Sequence, residues 1–362
     1  MKIALVTGGT GKIGQVLVPE LLKQKFRVRL FLRDKTTNLD SIISSLFTSS
    51  TPISLSTQTT ISQMLHQNIE IFFGDITDYK SVSNAVLGVD YIFHLAAILH
   101  INNPHPSMYG QYYDVNVIGT KNIVDAALIA GVQRVILFST ISVYGVNSKD
   151  CSDSPSFLDS NKQIFYESSP VNPLTIYAKT KLLAEQYSYP CVTILRLASV
   201  YGSGVTGNYL RLIMAVRKGF FCIPVNSKGC SVNRTLIHEK DVVTGAILAA
   251  THPEAAGKIY NLTDGAIHSL EDIVRAVANA ISVDVKIFKI PEKPLKIFSN
   301  IVCKYKHENI EKVASIINKL MENIAVDGKK IQVELGFQPK YNLKNGWYEV
   351  LEEDRKKLKY LR

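Results

Sequence analysis

The chain opens with an apolar run, Ile3 to Val6, that passes at once into Thr7-Gly8-Gly9-Thr10-Gly11-Lys12-Ile13-Gly14. A strand, a glycine-rich turn and a helix start in that order constrain the fold more than any other segment. The glycines let the backbone turn sharply and let a ligand come close to it, while the unsatisfied N–H groups of the helix's first turn face that ligand. A pyrophosphate suits such a turn, so the segment predicts a dinucleotide site contacted by Gly8, Gly11, Lys12, Ile13 and Gly14. The spacing satisfies both Gly8-x-x-Gly11-x-x-Gly14 and Gly9-x-Gly11-x-x-Gly14, and the glycines alone leave the subfamily open.

The rest of the first half fits this beginning. Short β-branched runs at Ile3 to Val6, Val28 to Leu32, Ile69 to Phe73, Tyr91 to Leu95, Val135 to Ser139 and Val192 to Leu197 read as buried strands. Amphipathic segments at Ile13 to Lys25, Ser81 to Leu87, Tyr113 to Ala130 and Ile176 to Tyr187 read as the helices between them. Strands alternating with helices predict an α/β fold, a doubly wound parallel sheet. We expect residues 1–200 to form this dinucleotide-binding domain and residues 201–362 to form mainly a smaller substrate lobe, with some segments returning to the sheet. Thr36 to Gln67 interrupts the rhythm with a Ser/Thr-rich tract that has little to bury, and it reads as a surface insertion. The basic Pro291 to Lys319 region is helical in pattern.

Composition narrows the function classes. With 46% hydrophobic and 20% charged residues, the 362-residue chain is that of a globular protein. No stretch of about 18 apolar residues occurs to span a bilayer and no signal-peptide core is present, so a cytoplasmic protein without membrane association is expected. The five cysteines, Cys151, Cys191, Cys222, Cys230 and Cys303, are scattered without metal-ligand spacing, and neither disulfides nor a metal site are expected. The net charge of +10 has its densest run at Arg355-Lys356-Lys357-Leu-Lys359, which reads as a solvated helix end, not a nucleic-acid surface.

At the end of the second strand a carboxylate favours NAD through the adenosine ribose, and a cation favours the 2′-phosphate of NADP. Here Leu32 fills the acidic position and Arg33 follows it, which tilts the expected cofactor from NAD toward NADP(H), with Asp34 left as a possible ribose ligand. Further on, Phe138-Ser139-Thr140-Ile-Ser-Val-Tyr144-Gly145 precedes Tyr177-Ala-Lys-Thr-Lys181. A tyrosine titrates near pH ~10 in water and needs help to act at neutral pH. Lys181, one helical turn on and on the same face, is expected to lower the Tyr177 pKa.

Together these motifs resemble the extended short-chain dehydrogenase/reductase family, of the NAD-dependent epimerase/dehydratase type, along nearly the whole chain. Gly74-Asp75-Ile76-Thr-Asp78, His94-Leu-Ala96-Ala97 and Asn116-Val-Ile-Gly119-Thr120 add to the likeness. The resemblance implies a Rossmann fold, with Asp75 and Ile76 at the adenine and Ala96 and Ala97 along the pyrophosphate and ribose. It implies Asn116 in the active-site proton network and Thr140 as the hydroxyl that binds the reacting oxygen, with Ser139 able to substitute. Tyr177 becomes the general acid/base, and Lys181 also holds the nicotinamide ribose.

In the sugar-nucleotide members, an arginine in a segment like Asn233-Arg234-Thr-Leu-Ile-His238-Glu-Lys-Asp241 grips the substrate diphosphate, a role that falls on Arg234. Asn208, in Asn208-Tyr-Leu-Arg-Leu, joins it as a substrate contact. Arg196-Leu197 departs from the family's Arg-Pro. Dehydratases carry Asp-Glu after the active-site hydroxyl, whereas Ile141-Ser142 follows Thr140 here, which argues against a 4,6-dehydratase. A nucleoside-diphosphate-sugar 4-epimerase or 4-keto-sugar reductase is therefore expected. Two alternatives stay open: a reductase of hydrophobic ketones of the hydroxysteroid or dihydroflavonol type, and a non-catalytic NADP-sensing or RNA-associated protein. The resemblance also implies a homodimer formed through the Tyr113 to Ala130 and Ile176 to Tyr187 helices.

Overall fold

The computed structural model describes residues 1–33, 68–99, 105–145, 164–205, 207–226, 228–295, 320–321 and 323–358, with side chains described as far as residue 352. Asp34, the Ser/Thr-rich tract at 36–67, Cys151, Cys303, residues 296–319 and the side chains of the C-terminal basic run lie outside these residues.

Seven parallel strands form the central sheet. They are β1 (Ile3–Thr7), β2 (Arg27–Leu32), β3 (Ile69–Phe73), β4 (Tyr91–His94), β5 (Arg134–Thr140), β6 (Val192–Leu197) and β7 (Ile259–Leu262). Their spatial order is β7-β6-β5-β4-β1-β2-β3, every neighbouring pair parallel. A parallel sheet covered on both faces needs apolar side chains pointing both ways, which is why the strands read as mostly apolar runs. In β1, Leu5 faces one core with Val82 and Ile123, while Ala4 and Val6 face the other with Leu17 and Val18. Burying each of the larger of these side chains, Leu, Val or Ile, contributes about 1.5–3 kcal/mol. A one-residue slip would exchange the two sets, so burial fixes where the glycine loop leaves the sheet.

The order reverses between β1 and β4. In such sheets ligands bind in the crevice outside the carboxyl ends of the strands on either side of this point. The glycine loop leaves β1 there, the Ala96-Ala97 segment leaves β4, and Thr140 ends β5.

Beyond β6 the chain builds a second core. Ile213, Val274, Val277, Trp347 and Leu351 meet there from the Gly207–Val216, Leu270–Ile281 and Leu343–Leu358 helices, with Tyr201 from the short Ser199–Tyr201 strand. Tyr201 stacks on Trp347 with ring centroids 4.9 Å apart. The Leu270–Ile281 helix begins with a capping box between Ser269 and Asp272, which satisfies backbone donors at its start. One segment of this half, β7, returns to the edge of the main sheet.

The Tyr113 to Ala130 segment differs from the sequence expectation of one continuous helix. A π-helical turn at Asp114–Ile118 separates the Tyr109–Tyr113 and Gly119–Ala130 helices. Such turns widen the backbone spiral and redirect a side chain. Asn116 lies in this turn and is buried.

Candidate active site

Close packing explains the glycine loop. Gly8 has φ +71°, and a Cβ on it would lie 2.8 Å from the Ala96 nitrogen. A Cβ on Gly14 would lie 2.5 Å from the carbonyl oxygens of both Gly8 and Gly9. Gly11 starts the Lys12–Lys23 helix with no side-chain cap, and that helix has no acidic residue in its first turn. Its leading N–H groups thus have neither a side-chain cap nor an acidic residue in their own turn, a donor set that fits a pyrophosphate. Lys12 Nζ donates to the Gly202 carbonyl at 3.4 Å and stands 4.0 Å from Glu239. Ile13 packs on the adjoining core.

The β4 end is tied to this loop by a hydrogen-bond chain. The Ala96 N–H donates to Thr7 Oγ1 (3.1 Å), which is 2.8 Å from His94 Nδ1, and His94 Nε2 is 3.0 Å from Thr120 Oγ1. Thr120 in turn donates to the Asn116 carbonyl at 2.7 Å. Burial, helped by the nearby Lys181 charge, pulls His94 down to about 3, so the ring is neutral at physiological pH. Because Thr120 gives its proton to Asn116, the bonding pattern assigns the His94 proton to Nε2 and makes Nδ1 the acceptor of the Thr7 hydroxyl. Ala97 is half-buried beyond Ala96. Asp75 Oδ1 accepts from the backbone and the hydroxyl of Thr77, both at 2.8 Å. Ile76 is buried where a Cβ on Gly119 would touch it. Arg33 is exposed just beyond β2, with Leu32 buried.

The catalytic candidates gather on the other side of the crevice. Thr175 caps the Ile176–Glu185 helix, its hydroxyl accepting from the Ala178 N–H at 3.1 Å, and so sets where Tyr177 stands. Thr140, Tyr177 and Arg234 line one cleft of about 300 Å³ together with Thr175, Ser142 and Ser199. Apolar side chains of Ile141, Leu174, Leu197 and Ile324 complete much of its wall. Thr140 Oγ1 accepts from the Ser142 N–H at 3.1 Å and donates to Ser142 Oγ at 3.2 Å, a donor it can turn toward a ligand. Arg234 Nη2 donates to the Leu320 carbonyl at 3.4 Å. Asn116 Oδ1 accepts from the Ile98 N–H at 2.7 Å, and its Nδ2 donates to Thr180 Oγ1 at 3.1 Å, joining the π-helical turn to the tyrosine helix.

Three expectations from the sequence change here. Burial, with Tyr112 adding to it, pushes the Tyr177 phenol up to about 12, and Lys181 is not among the groups that move it. Desolvation of the phenolate sets the direction. Burial also pulls Lys181 down to about 8, opposed by Glu185. Second, Ser139 does not share the cleft with Thr140. Successive strand residues face opposite sides, and Ser139 donates to Glu185 Oε1 at 2.5 Å inside the protein. Third, Asn208 is exposed in the first turn of its helix and does not line the cleft, whereas Tyr209 beside it reaches Ser199 with an O–H···O bond of 2.6 Å.

Some residues of the site carry little or no signal in the sequence. Ile324 and Ser199 reach the cleft from distant segments and have no local mark. Glu185 has one, since it follows Lys181 by one helical turn. Among the described residues, no group of three or more His, Cys, Asp or Glu could hold a metal, and no helix is long and apolar enough to cross a membrane.

Comparison with known proteins agrees with this geometry. The chain is 29% identical over 287 residues to a 3 beta-hydroxysteroid dehydrogenase/Delta 5→4-isomerase of Mycobacterium tuberculosis, covering 76% of this chain and 68% of that protein. It is 25% identical over 356 residues to a UDP-glucose 4-epimerase of Vibrio cholerae, covering 96% and 93%. A short-chain dehydrogenase/reductase superfamily protein from Agrobacterium tumefaciens, solved with bound NAD, shares the fold with a TM-score of 0.68 at 21% identity, over 99% of this chain and 100% of that one. Residues 4–263, from β1 through the whole sheet and the cleft's arginine, match the family model. With the glycine loop, the reversed strand order and the Tyr177-x-x-x-Lys181 helix in one crevice, the chain belongs to the NAD dependent epimerase/dehydratase family.

Proposed function

We propose that the protein is an NAD(P)-dependent oxidoreductase or epimerase that moves a hydride at a sugar carbon of a nucleoside-diphosphate sugar, as a 4-epimerase or a 4-keto-sugar reductase. The observation that carries this reading is the common cleft of Thr140, Tyr177 and Arg234. Thr140 hydrogen-bonds the reacting oxygen and Tyr177 exchanges a proton with it, while the guanidinium of Arg234 receives the diphosphate. Asn116 fixes the tyrosine helix through Thr180, and Lys181 holds the nicotinamide ribose. The dinucleotide, when bound, donates or accepts the hydride. Gly8, Gly11, Gly14, Lys12, Ala96 and Ala97 hold its pyrophosphate side, and Asp75 and Ile76 its adenine. Arg33 favours NADP(H) over NAD, since a cation at the end of β2 suits a 2′-phosphate.

The reading has a direct test. UDP or dTDP should bind the purified protein, and Arg234→Ala should weaken that binding about 10- to 100-fold, the range for losing charge-assisted hydrogen bonds. Nucleotide released on denaturation distinguishes the two sugar reactions: stoichiometric NAD marks an epimerase that recycles its cofactor, and an empty site that takes up NADPH marks a reductase. A second reading, reduction or oxidation of a hydroxysteroid-like ketone, is favoured by the apolar wall of Ile141, Leu174, Leu197 and Ile324 and by the steroid dehydrogenase relatives. Steroid turnover unaffected by Arg234→Ala, with no nucleotide binding, would select it. Retention of Thr140, Tyr177 and Lys181 speaks against a non-catalytic role. A cytoplasmic homodimer belongs to the same proposal, supported by exposed Tyr113, Leu128 and Ile129 on the Tyr113 to Ala130 segment expected to pair.

A further inference from the structure

Lys12 is the first residue of the Lys12–Lys23 helix, the end at which the helix dipole disfavours a cation and favours an anion. Its ammonium turns to the second half of the chain. Nζ donates to the Gly202 carbonyl at 3.4 Å and stands 4.0 Å from Glu239 Oε2, too far for a hydrogen bond. Glu239 opens the Glu239–Thr251 helix and is 1% exposed. Its Oε1 accepts from the Ser203 N–H at 2.8 Å and from the Ser203 hydroxyl at 2.6 Å. Oε2 is buried with no hydrogen-bond partner among the described residues. It lies against Gly202, where a Cβ would come within 2.3 Å of it. A buried carboxylate oxygen without a donor is unfavourable, and burial raises the Glu239 carboxyl, opposed by Ser203 and the Lys12 charge. Lys12 is not locked in place, since 37% of its side chain is exposed on a flexible four-carbon stem.

We propose that Glu239 is an affinity-determining residue of the cofactor site, a resident anion that competes with the dinucleotide's pyrophosphate for the Lys12 ammonium and so keeps the cofactor exchangeable. This rests on the dinucleotide reading of the glycine loop. The attraction between Lys12 and Glu239 acts over 4.0 Å, and burial of the carboxylate strengthens it by excluding water. A pyrophosphate at the start of the Lys12–Lys23 helix draws on the same ammonium, so each anion gains less while the other is present. Removing the Glu239 charge therefore tightens the cofactor, and removing the Lys12 charge loosens it. The consequence bears on the choice between the two sugar reactions. A reductase must release its oxidised cofactor after each turnover and is served by such weakening, whereas an epimerase that recycles a bound cofactor is not.

The test measures dinucleotide binding, not turnover. NADPH and NADH are titrated by fluorescence into the nucleotide-free full chain, as wild type, Glu239→Gln, Lys12→Met and the double variant. Glutamine keeps an oxygen for Ser203 and removes the charge. The expected result is a dissociation constant lower by about threefold or more in Glu239→Gln and higher by about tenfold or more in Lys12→Met. With Lys12 already replaced, Glu239→Gln should change the constant by less than about twofold, because the competition runs through the lysine. A folded Glu239→Gln that binds the dinucleotide no better than wild type overturns the proposal, and weaker binding would mark Glu239 as a brace of the site instead. A gain of equal size with and without Lys12 overturns it too. Should Glu239→Gln fail to fold, Glu239→Met removes the charge at similar volume and is read in the same way. Failure of the underlying reading looks different: wild type would then bind neither dinucleotide.

Discussion

Replacing Lys181 with methionine should make the protein more stable and inactive. Lys181 is 2% exposed, and burial pulls its ammonium from 10.5 down to about 8. The unfolded chain thus holds this proton more tightly than the folded one, so the lysine destabilises the fold at every pH below about 8. At about 1.4 kcal/mol per pKa unit, the penalty at pH 7 is about 3 kcal/mol. It fades as the pH rises from about 8 to 10.5, because the folded state gives up the proton first. Methionine has a similar unbranched shape and no charge to desolvate, while Glu185 keeps its bonds to Arg196 and Ser139. Urea unfolding of wild type and Lys181→Met at two pH values measures the effect. The variant should be more stable by about 2–3 kcal/mol at pH 7 and by less than about 1 kcal/mol at pH 10. A variant less stable than wild type at pH 7, or a difference that ignores pH, would refute the burial argument. Loss of turnover in the same variant would mark the buried charge as kept for chemistry at the expense of stability.

The same geometry fixes further outcomes. Tyr177→Phe should reduce turnover by about 10²–10⁴-fold while leaving circular dichroism and unfolding midpoint close to wild type. Arg33→Ala should raise KM for NADPH about tenfold or more and leave KM for NADH nearly unchanged; equal effects would remove the argument for NADP(H). Gly14→Ala should weaken dinucleotide binding, read by nucleotide fluorescence titration, and cost about 1–3 kcal/mol of stability, because its Cβ would collide with two backbone carbonyls. Wild-type affinity in that variant would mean that the loop has room which these contacts deny.

The sheet and the glycine turn at its crevice were legible in the chain because their signals are mostly local. Continuous apolar runs such as Val135 to Phe138 mark a strand buried on both faces, and closely spaced glycines, of which Gly8 takes a positive φ and Gly14 has no room for a Cβ, mark a tight turn. Tyr177 and Lys181 were readable for the same reason, since helical spacing alone puts them on one face. Tertiary structure decided everything that depends on which segments meet. It gave the face of β5 bearing Ser139 to Glu185 and that bearing Thr140 to the cleft, brought Ile324 and Ser199 to the same wall, and left Asn208 outside it. It also changed an electrostatic expectation: spacing puts Lys181 one turn from Tyr177, but burial raises the Tyr177 phenol and lowers the Lys181 ammonium. Spacing is a property of the chain, whereas desolvation belongs to the packed surroundings, which form only when distant segments close over the site.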